Sequence, residues 1–303
     1  MDTAEISKPK FISLNRDVVK SWDDEFQQLA QTLPKEESWI SRTSLYLYQG
    51  FWFTTLVLKP VISLQKHFRA FDSDIIVATF PKCGTTWLKA STFSTLYRNQ
   101  FAGDDNPLLS FSPHQLVRFL ECDVYLNNPC PDLGNVCVYK PWLFSTHVPY
   151  ASLPTSIKDS HCKIVYLCRN PMDMFVSLWN FADKLREENK ELVSLDEAFD
   201  KFCNGICGFG SFFDHGFLSQ RMKRKGVVEE IAKLCSFEKL KELEVNKKGT
   251  HVNGIPYQAF FRKGKVGDWS NYLTPSMIER MEKLTQEKLD GSLLTFKLSS
   301  KTS

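Results

Sequence analysis

The chain has 303 residues, 43% hydrophobic and 24% charged, with a net charge of +3. That length can bury a substantial core, and that composition is ordinary for a globular protein. The charge is too small to suggest a nucleic-acid surface. The nine cysteines cannot all pair, and the acidic start Met1-Asp2-Thr3-Ala4-Glu5 lacks an apolar core segment, so reduced thiols in the cytosol are expected.

Residues 1–20 are polar and are expected to form a flexible tail, with 21–303 as a single domain lacking internal repeats or a Gly/Ser linker. Ser21, with Asp24 three residues on, reads as a capping box. Trp22, Phe26, Leu29 and Leu33 then share one helical face, and Pro34 stops the helix. The aromatic stretch from Tyr46 to Phe53 reads as core packing that could also reach a ligand pocket. The apolar run Phe51 to Leu58 is halted by Lys59-Pro60, short of membrane-spanning length.

Ile75–Thr79 is a strand-like run and Leu88–Tyr97 is helix-like. Between them lies Pro81-Lys82-Cys83-Gly84-Thr85-Thr86-Trp87. Strand, tight loop and helix together make an anion site, from loop N–H groups and the helix N-terminus. Gly84 permits close approach, Thr85 and Thr86 add hydroxyls, and Lys82 adds a mobile charge. The lysine precedes the glycine, so the G-x-x-x-x-G-K-[ST] nucleotide loop is not matched. Two further strand-like runs, Trp142–Thr146 and Lys163–Cys168, end at His147 and Arg169. Asn170 suits an N-cap and Pro171 an N1 residue for a helix from Met172 to about Glu187. Cys203 and Cys207 have no second pair at zinc spacing, so no metal is expected. The basic run Arg221 to Lys225 reads as a solvated loop. Thr274-Pro275 opens a last helix with Met277, Met281 and Leu284 facing inward. Strands alternating with helices predict an α/β fold, a parallel sheet flanked by helices, with ligands at the strands' carboxyl ends. Lys82, His147 and Arg169 should converge there.

The loop closed by Trp87 resembles the 5′-phosphosulfate loop of the soluble sulfotransferases. Ser145-Thr146-His147-Val148-Pro149 resembles that family's catalytic-histidine segment. Cys168-Arg169-Asn170-Pro171 through Ser177 resembles its 3′-phosphate strand and helix. Arg262-Lys263-Gly264, followed by Gly267-Asp268-Trp269, resembles its C-terminal nucleotide signature. Leu33-Pro34-Lys35-Glu36 and Tyr48-Gln49-Gly50-Phe51-Trp52 resemble the plant branch. The resemblance implies a single-domain, P-loop-like sulfotransferase fold with a central parallel sheet. It implies transfer of a sulfuryl group from 3′-phosphoadenylyl sulfate, the donor co-substrate, to a hydroxyl of a small molecule. The acceptor class would be a flavonoid, steroid, hydroxyjasmonate or desulfo-glucosinolate. In that scheme Lys82 meets charge on the leaving phosphate and His147 is the base. Lys82, Cys83, Gly84, Thr85, Thr86, Trp87, Arg169, Ser177, Phe237, Arg262, Lys263 and Gly264 would hold the donor, with no metal. A cytoplasmic monomer or weak homodimer without nucleic-acid or membrane partners is implied. A nucleotide-kinase-like phosphotransferase fits less well, since a Walker-type lysine and an acidic strand end are both missing.

Two departures from the family pattern stand out. Cys83 replaces the usual serine, and a serine here would be expected to preserve or improve donor affinity. Between Phe213-Asp214-His215 and the helix matching Val227–Leu234, only Gly216 to Gly226 remain. The family's strand ending in Tyr-Glu-Asp has no counterpart, so one core strand is expected to be missing. The alternative reading is therefore a catalytically impaired nucleotide-binding paralogue or splice product.

Overall fold

A computed structural model describes residues 16–41, 43–101, 103–137, 139–185, 193–215, 235–290 and 296. Its first element, α1 (Arg16–Thr32), starts at Arg16 rather than at the Ser21 box, so residues 16–20 of the expected tail are helical. In the sequence Val18 extends the i, i+4 spacing of Trp22 and Phe26 backward, and nothing at Ser21 interrupts the helical period. Phe26 and Ala30 carry the buried face.

Three short antiparallel strands follow, β1 (Lys35–Glu37), β2 (Ser44–Tyr48) and β3 (Phe51–Thr54). Tyr48 pairs with Phe51 across a two-residue turn. Gln49 and Gly50 have φ of 52° and 83°, the positive pair that such hairpins demand. Leu45, Phe51 and Phe53 are buried, so the aromatic stretch is core. Its neighbour Thr54 reaches the cavity described below. α2 (Thr55–His67) runs through Pro60 instead of stopping there, with Leu58, Pro60 and Val61 buried. No helix among the described residues is long and apolar enough to cross a membrane.

The larger unit is a parallel sheet of β4 (Ile75–Thr79), β5 (Leu143–Thr146) and β6 (Lys163–Leu167), in the order β5-β4-β6. Ile76 stands opposite Phe144 on one side and Ile164 on the other. Ile76 and Ala78 face one apolar core with Phe68, Phe144 and Met172. Val77 faces a second core with Leu88, Phe93 and Leu143. A central strand buried on both faces reads as a continuous apolar run, and Ile75-Ile76-Val77-Ala78 does.

Helices cover these faces: α3 (Thr85–Leu96), α4 (Pro113–Leu116), α5 (Thr155–Asp159), α6 (Pro171–Leu185), α7 (Leu195–Cys203), α8 (Phe237–Glu242), α9 (Glu244–Lys248) and α10 (Pro275–Leu289). At the start of α6, Asn170 Oδ1 accepts from Met172 N at 2.9 Å, with Pro171 as the first helical residue. The cap fixes where β6 ends and so where Arg169 sits. α6 is described to Leu185, and Glu187 lies outside the described residues. Thr274 caps α10, which buries Met277 and Met281 and packs Leu284 against the core. The short junction after His215, the basic run Arg221–Lys225 and the helix expected at Val227–Leu234 lie outside the described residues, as do residues 1–15.

Candidate functional site

The loops after the three parallel strands surround a cavity of about 610 Å³. Lys82 through Trp87 reach it from the β4 loop, and His147 from the end of β5. Arg169 reaches it from the end of β6, and Ser177 from α6. Phe237 at the start of α8 and the Arg262-Lys263-Gly264 loop close the opposite side. All the sequence-predicted site residues are thus brought to one place.

The anion loop is shaped by left-handed backbone at Lys82, φ 65°, and at Gly84, φ 91°. Gly84 is the N-cap of α3 and offers no side-chain cap. The first amides of α3 therefore remain available to an anion. Lys82 Nζ rests 3.9 Å from the Phe181 ring centroid. Burial, then repulsion from Lys184, Arg169 and Arg262, lowers the Lys82 ammonium to about 7. So many cations around one lysine make a strong site for a polyanion.

Cys83 departs from expectation. Its thiol is buried in the apolar core, and its N–H is donated to Phe80 O at 3.2 Å. Burial first, then the nearby Cys168, pushes the thiol well above its ordinary pKa. Position 83 therefore shapes the loop without offering a side-chain donor to the anion. Cys83→Ser should leave nucleotide affinity unchanged and alter stability by less than about 1.5 kcal/mol, because the Arg169 backbone N–H that meets the thiol can also meet a hydroxyl. Chemical denaturation and a nucleotide titration of both proteins check this. An affinity gain would restore the hydroxyl-donor reading.

His147 is held from three directions. Its Nδ1 lies 2.7 Å from Thr79 O. A carbonyl only accepts, so Nδ1 carries the hydrogen and Nε2 is left as the acceptor. The His147 backbone N–H donates to Glu121 Oε1 at 2.7 Å, while Thr146 Oγ1 donates to Glu121 Oε2 at 2.9 Å. His215 Nε2 meets the His147 carbonyl at 2.9 Å. Burial lowers the His147 imidazole to about 3. The ring is therefore neutral at physiological pH. Burial also raises the Glu121 carboxyl to about 7, against the lowering effect of the bonds it accepts.

On the far side, Arg169 donates to Lys82 O at 3.4 Å and to Lys265 O at 3.2 Å. This joins the anion loop to the C-terminal loop. Asp173 Oδ2 accepts from Gly267 N at 2.8 Å and ties α6 to the same loop. Arg262 and Lys263 both pair with Asp268 of the Gly-Asp-Trp motif. Burial raises the Asp268 carboxyl, but bonds from Lys263, Arg262 and Asn271 outweigh it and hold it at about 2. Gly264, with φ 65°, lets the Phe237 ring pack onto the loop. A Cβ there would come within 2.7 Å of the ring. Trp87 is 41% exposed at the cavity mouth.

Glu121, Thr79 and Phe181 were not foreseen. Each acts on a residue distant in sequence, and only Thr79, the last residue of β4, carried a positional hint.

The pattern described as "Sulfotransferase domain" matches residues 72–225 and 216–293. An Arabidopsis thaliana relative, "Cytosolic sulfotransferase 15", is 41% identical over 332 residues, covering 94% of this chain and 92% of its own. The chain belongs to the sulfotransferase family. Another Arabidopsis thaliana relative, "Cytosolic sulfotransferase 14", is 41% identical and covers 91% of each chain. Among solved structures, an Arabidopsis thaliana protein provisionally described as a steroid sulphotransferase superposes with a TM-score of 0.67 at 36% identity. That match covers 91% of this chain and 98% of the other. Mouse sulfotransferase SULT7A1 complexed with PAP superposes with a TM-score of 0.56 at 23% identity, covering 81% of this chain and 95% of its own, a likeness of fold. The 332-residue alignment exceeds this sulfotransferase's own 303 residues, so the relative has residues without counterparts here. The two stretches of the family match meet at residues 216–225, where the sequence places the shortened junction.

Proposed function

We propose that this sulfotransferase moves a sulfuryl group from 3′-phosphoadenylyl sulfate to a hydroxyl of a small molecule. One observation carries the reading: the Nδ1–H of His147 is committed to Thr79 O, and the neutral ring lines the same cavity as the Lys82 loop. The donor supplies an activated sulfuryl group on a phosphate leaving group. His147 Nε2 takes the proton of the acceptor hydroxyl as that oxygen forms its bond to sulfur. The bridging S–O bond breaks toward the phosphate, and the Lys82 ammonium meets the charge that builds there. Loop amides, with Thr85 and Thr86, serve the 5′ end of the donor. Arg169 and Ser177, with Arg262, Lys263 and Gly264, serve its 3′-phosphate, while Trp87 and Phe237 flank the base.

The site suits such a donor because the charged groups acting on Lys82 are cations. Among the described residues no cluster of ligating side chains would hold a metal. On the acceptor side, Ile40, Phe119, Phe209, Ile255 and Phe260 make an apolar wall. That wall favours the flavonoid, steroid, hydroxyjasmonate and desulfo-glucosinolate classes over strongly charged acceptors. The cytosolic names of the Arabidopsis relatives support action in the cytoplasm. A monomer or weak homodimer remains our reading of the assembly.

Arg169→Ala should weaken binding of 3′-phosphoadenosine 5′-phosphate far more than of its 3′-dephospho analogue. A charge-assisted bond is worth roughly 1.5–3 kcal/mol, so a tenfold or greater difference is expected. Equal weakening of both nucleotides in calorimetry removes the 3′ assignment. Turnover with labelled donor and one acceptor of each class tests the function as a whole. Tight nucleotide binding without turnover on any class would favour the impaired-paralogue reading, which the two-piece family match at residues 216–225 supports.

A further inference from the structure

Beside the anion loop, three side chains form a hydrogen-bond chain, and the steps above use only one of them, Thr86. Lys89 on α3 is fully buried. Its Nζ lies 3.2 Å from His114 Nδ1 and 3.2 Å from the centroid of the Phe119 ring. His114 Nε2 lies 3.0 Å from Thr86 Oγ1. Thr86 and Lys89 share one face of α3 at i, i+3 spacing, and His114 from α4 bridges them.

The hydrogens of this chain can be assigned. An ammonium has no lone pair, so His114 Nδ1 must accept from Lys89. Burial, followed by Lys89, His251, His147 and Lys82, holds His114 well below its ordinary pKa, so the ring is neutral. Its single hydrogen therefore sits on Nε2 and is donated to Thr86 Oγ1. The Thr86 hydroxyl must then direct its own hydrogen elsewhere. Among the described residues His114 is its hydrogen-bond partner, and Thr86 lines the cavity.

We propose that Lys89 is a positioning residue: through His114 it turns the Thr86 hydroxyl hydrogen into the cavity, toward the donor's phosphate. This rests on the reading that Thr86 touches that phosphate. The ammonium sets the direction of the chain rather than its existence. With a neutral amine the chain could run backward, Thr86 donating to His114 and His114 to Lys89. Thr86 would then show only lone pairs to an anion. The groups facing Lys89 are Asp123, Glu121 and the Cys122 thiol from residues 120–124, together with His114, His147 and the Phe119 face. Burial lowers the Lys89 ammonium to about 7, while Asp123, Glu121 and Cys122 oppose that fall. The Phe119 ring favours the cation as well, and a bound anion adds to both.

The test is a double-mutant cycle on the full chain, reading calorimetric affinity for 3′-phosphoadenosine 5′-phosphate. Thr86→Val and Lys89→Met should each weaken binding roughly tenfold or more. The double mutant should bind no worse than Thr86→Val alone. Additive losses, or an unchanged affinity in Lys89→Met, overturn the proposal. An unchanged affinity in Thr86→Val overturns its premise about Thr86 while leaving sulfuryl transfer standing. Lys89→Gln retains an N–H for His114 and should restore most of the affinity. Should Lys89→Met fail to fold, imidazole nitrogen chemical shifts of the unaltered protein near pH 6, where Lys89 is charged, decide the matter. A His114 signal with hydrogen on Nε2 is expected, and hydrogen on Nδ1 overturns the proposal.

Discussion

His147→Ala should lower turnover by about 10²–10⁴-fold, the usual worth of a positioned general base, and leave nucleotide affinity nearly unchanged. In the proposed scheme the base acts on the acceptor hydroxyl, and the side chain's own bond runs to Thr79 O. The pH profile adds a second check. The folded imidazole is held near 3, below its ordinary value. It is therefore unprotonated, and competent as a base, until the pH falls well below that ordinary value. With saturating donor and acceptor, turnover should stay level from about pH 7.5 down to about pH 5.5. Glu121, raised to about 7, titrates in the same window, so a loss of rate centred near about pH 6.5 that persists in Glu121→Gln would mean that this histidine titrates as a free imidazole. Equal turnover in mutant and parent would assign the base elsewhere.

Lys82→Met should cost about 10²–10³-fold in turnover, comparable with removing one strong donor from a charge-stabilising site. It should weaken nucleotide binding as well, since the ammonium serves the bound phosphate before the bond breaks. The free protein holds this ammonium near 7 because of burial and three neighbouring cations. A bound polyanion reverses that field and raises the value. Above about pH 7 the free lysine is mostly neutral and must gain a proton on binding; below it the proton is already present. Calorimetry near pH 8 in buffers of different ionisation enthalpy should therefore show proton uptake, up to about one proton at Lys82 beside any at Lys89, which also lies near 7. In Lys82→Met that uptake should be reduced. Uptake that is identical in the two proteins would locate the proton on another group.

Local patterns in the chain foretold much of this arrangement. The apolar run at Ile75–Ala78, the glycine at 84 and the Asn170-Pro171 cap each encode a short piece of backbone that needs no distant partner. They place Lys82 and Arg169 at strand ends without further information. The start of α1 was misplaced because Ser21 is as good inside a polar helical face as at a cap, and the decision falls to the pattern upstream. For Cys83 the sequence tells which residue type is present but not which way it points. Glu121, Lys89 and His114 left no mark of their kind, and Thr79 left only its place at the end of β4. Their meaning lies in contacts between separate elements, among residues 25 to 68 positions apart. A motif records what meets the ligand. The groups that hold the motif in its working tautomer or rotamer are scattered, and they come together only in the folded chain.

In the proposed scheme, with His147 as the base, the bond from its Nδ1 to Thr79 O also governs how the enzyme resets. A backbone carbonyl can orient the ring, but it can neither accept the second hydrogen nor offset its positive charge as a carboxylate would. Burial makes the charged ring costly. A proton gained at Nε2 is thus held weakly, and its direct way out is the face through which it entered. During the cycle that face is covered by the sulfated product. Product departure and proton departure therefore share one doorway. The next acceptor meets a ready base only after solvent has reached the ring, which makes the opening of the acceptor side part of every turnover.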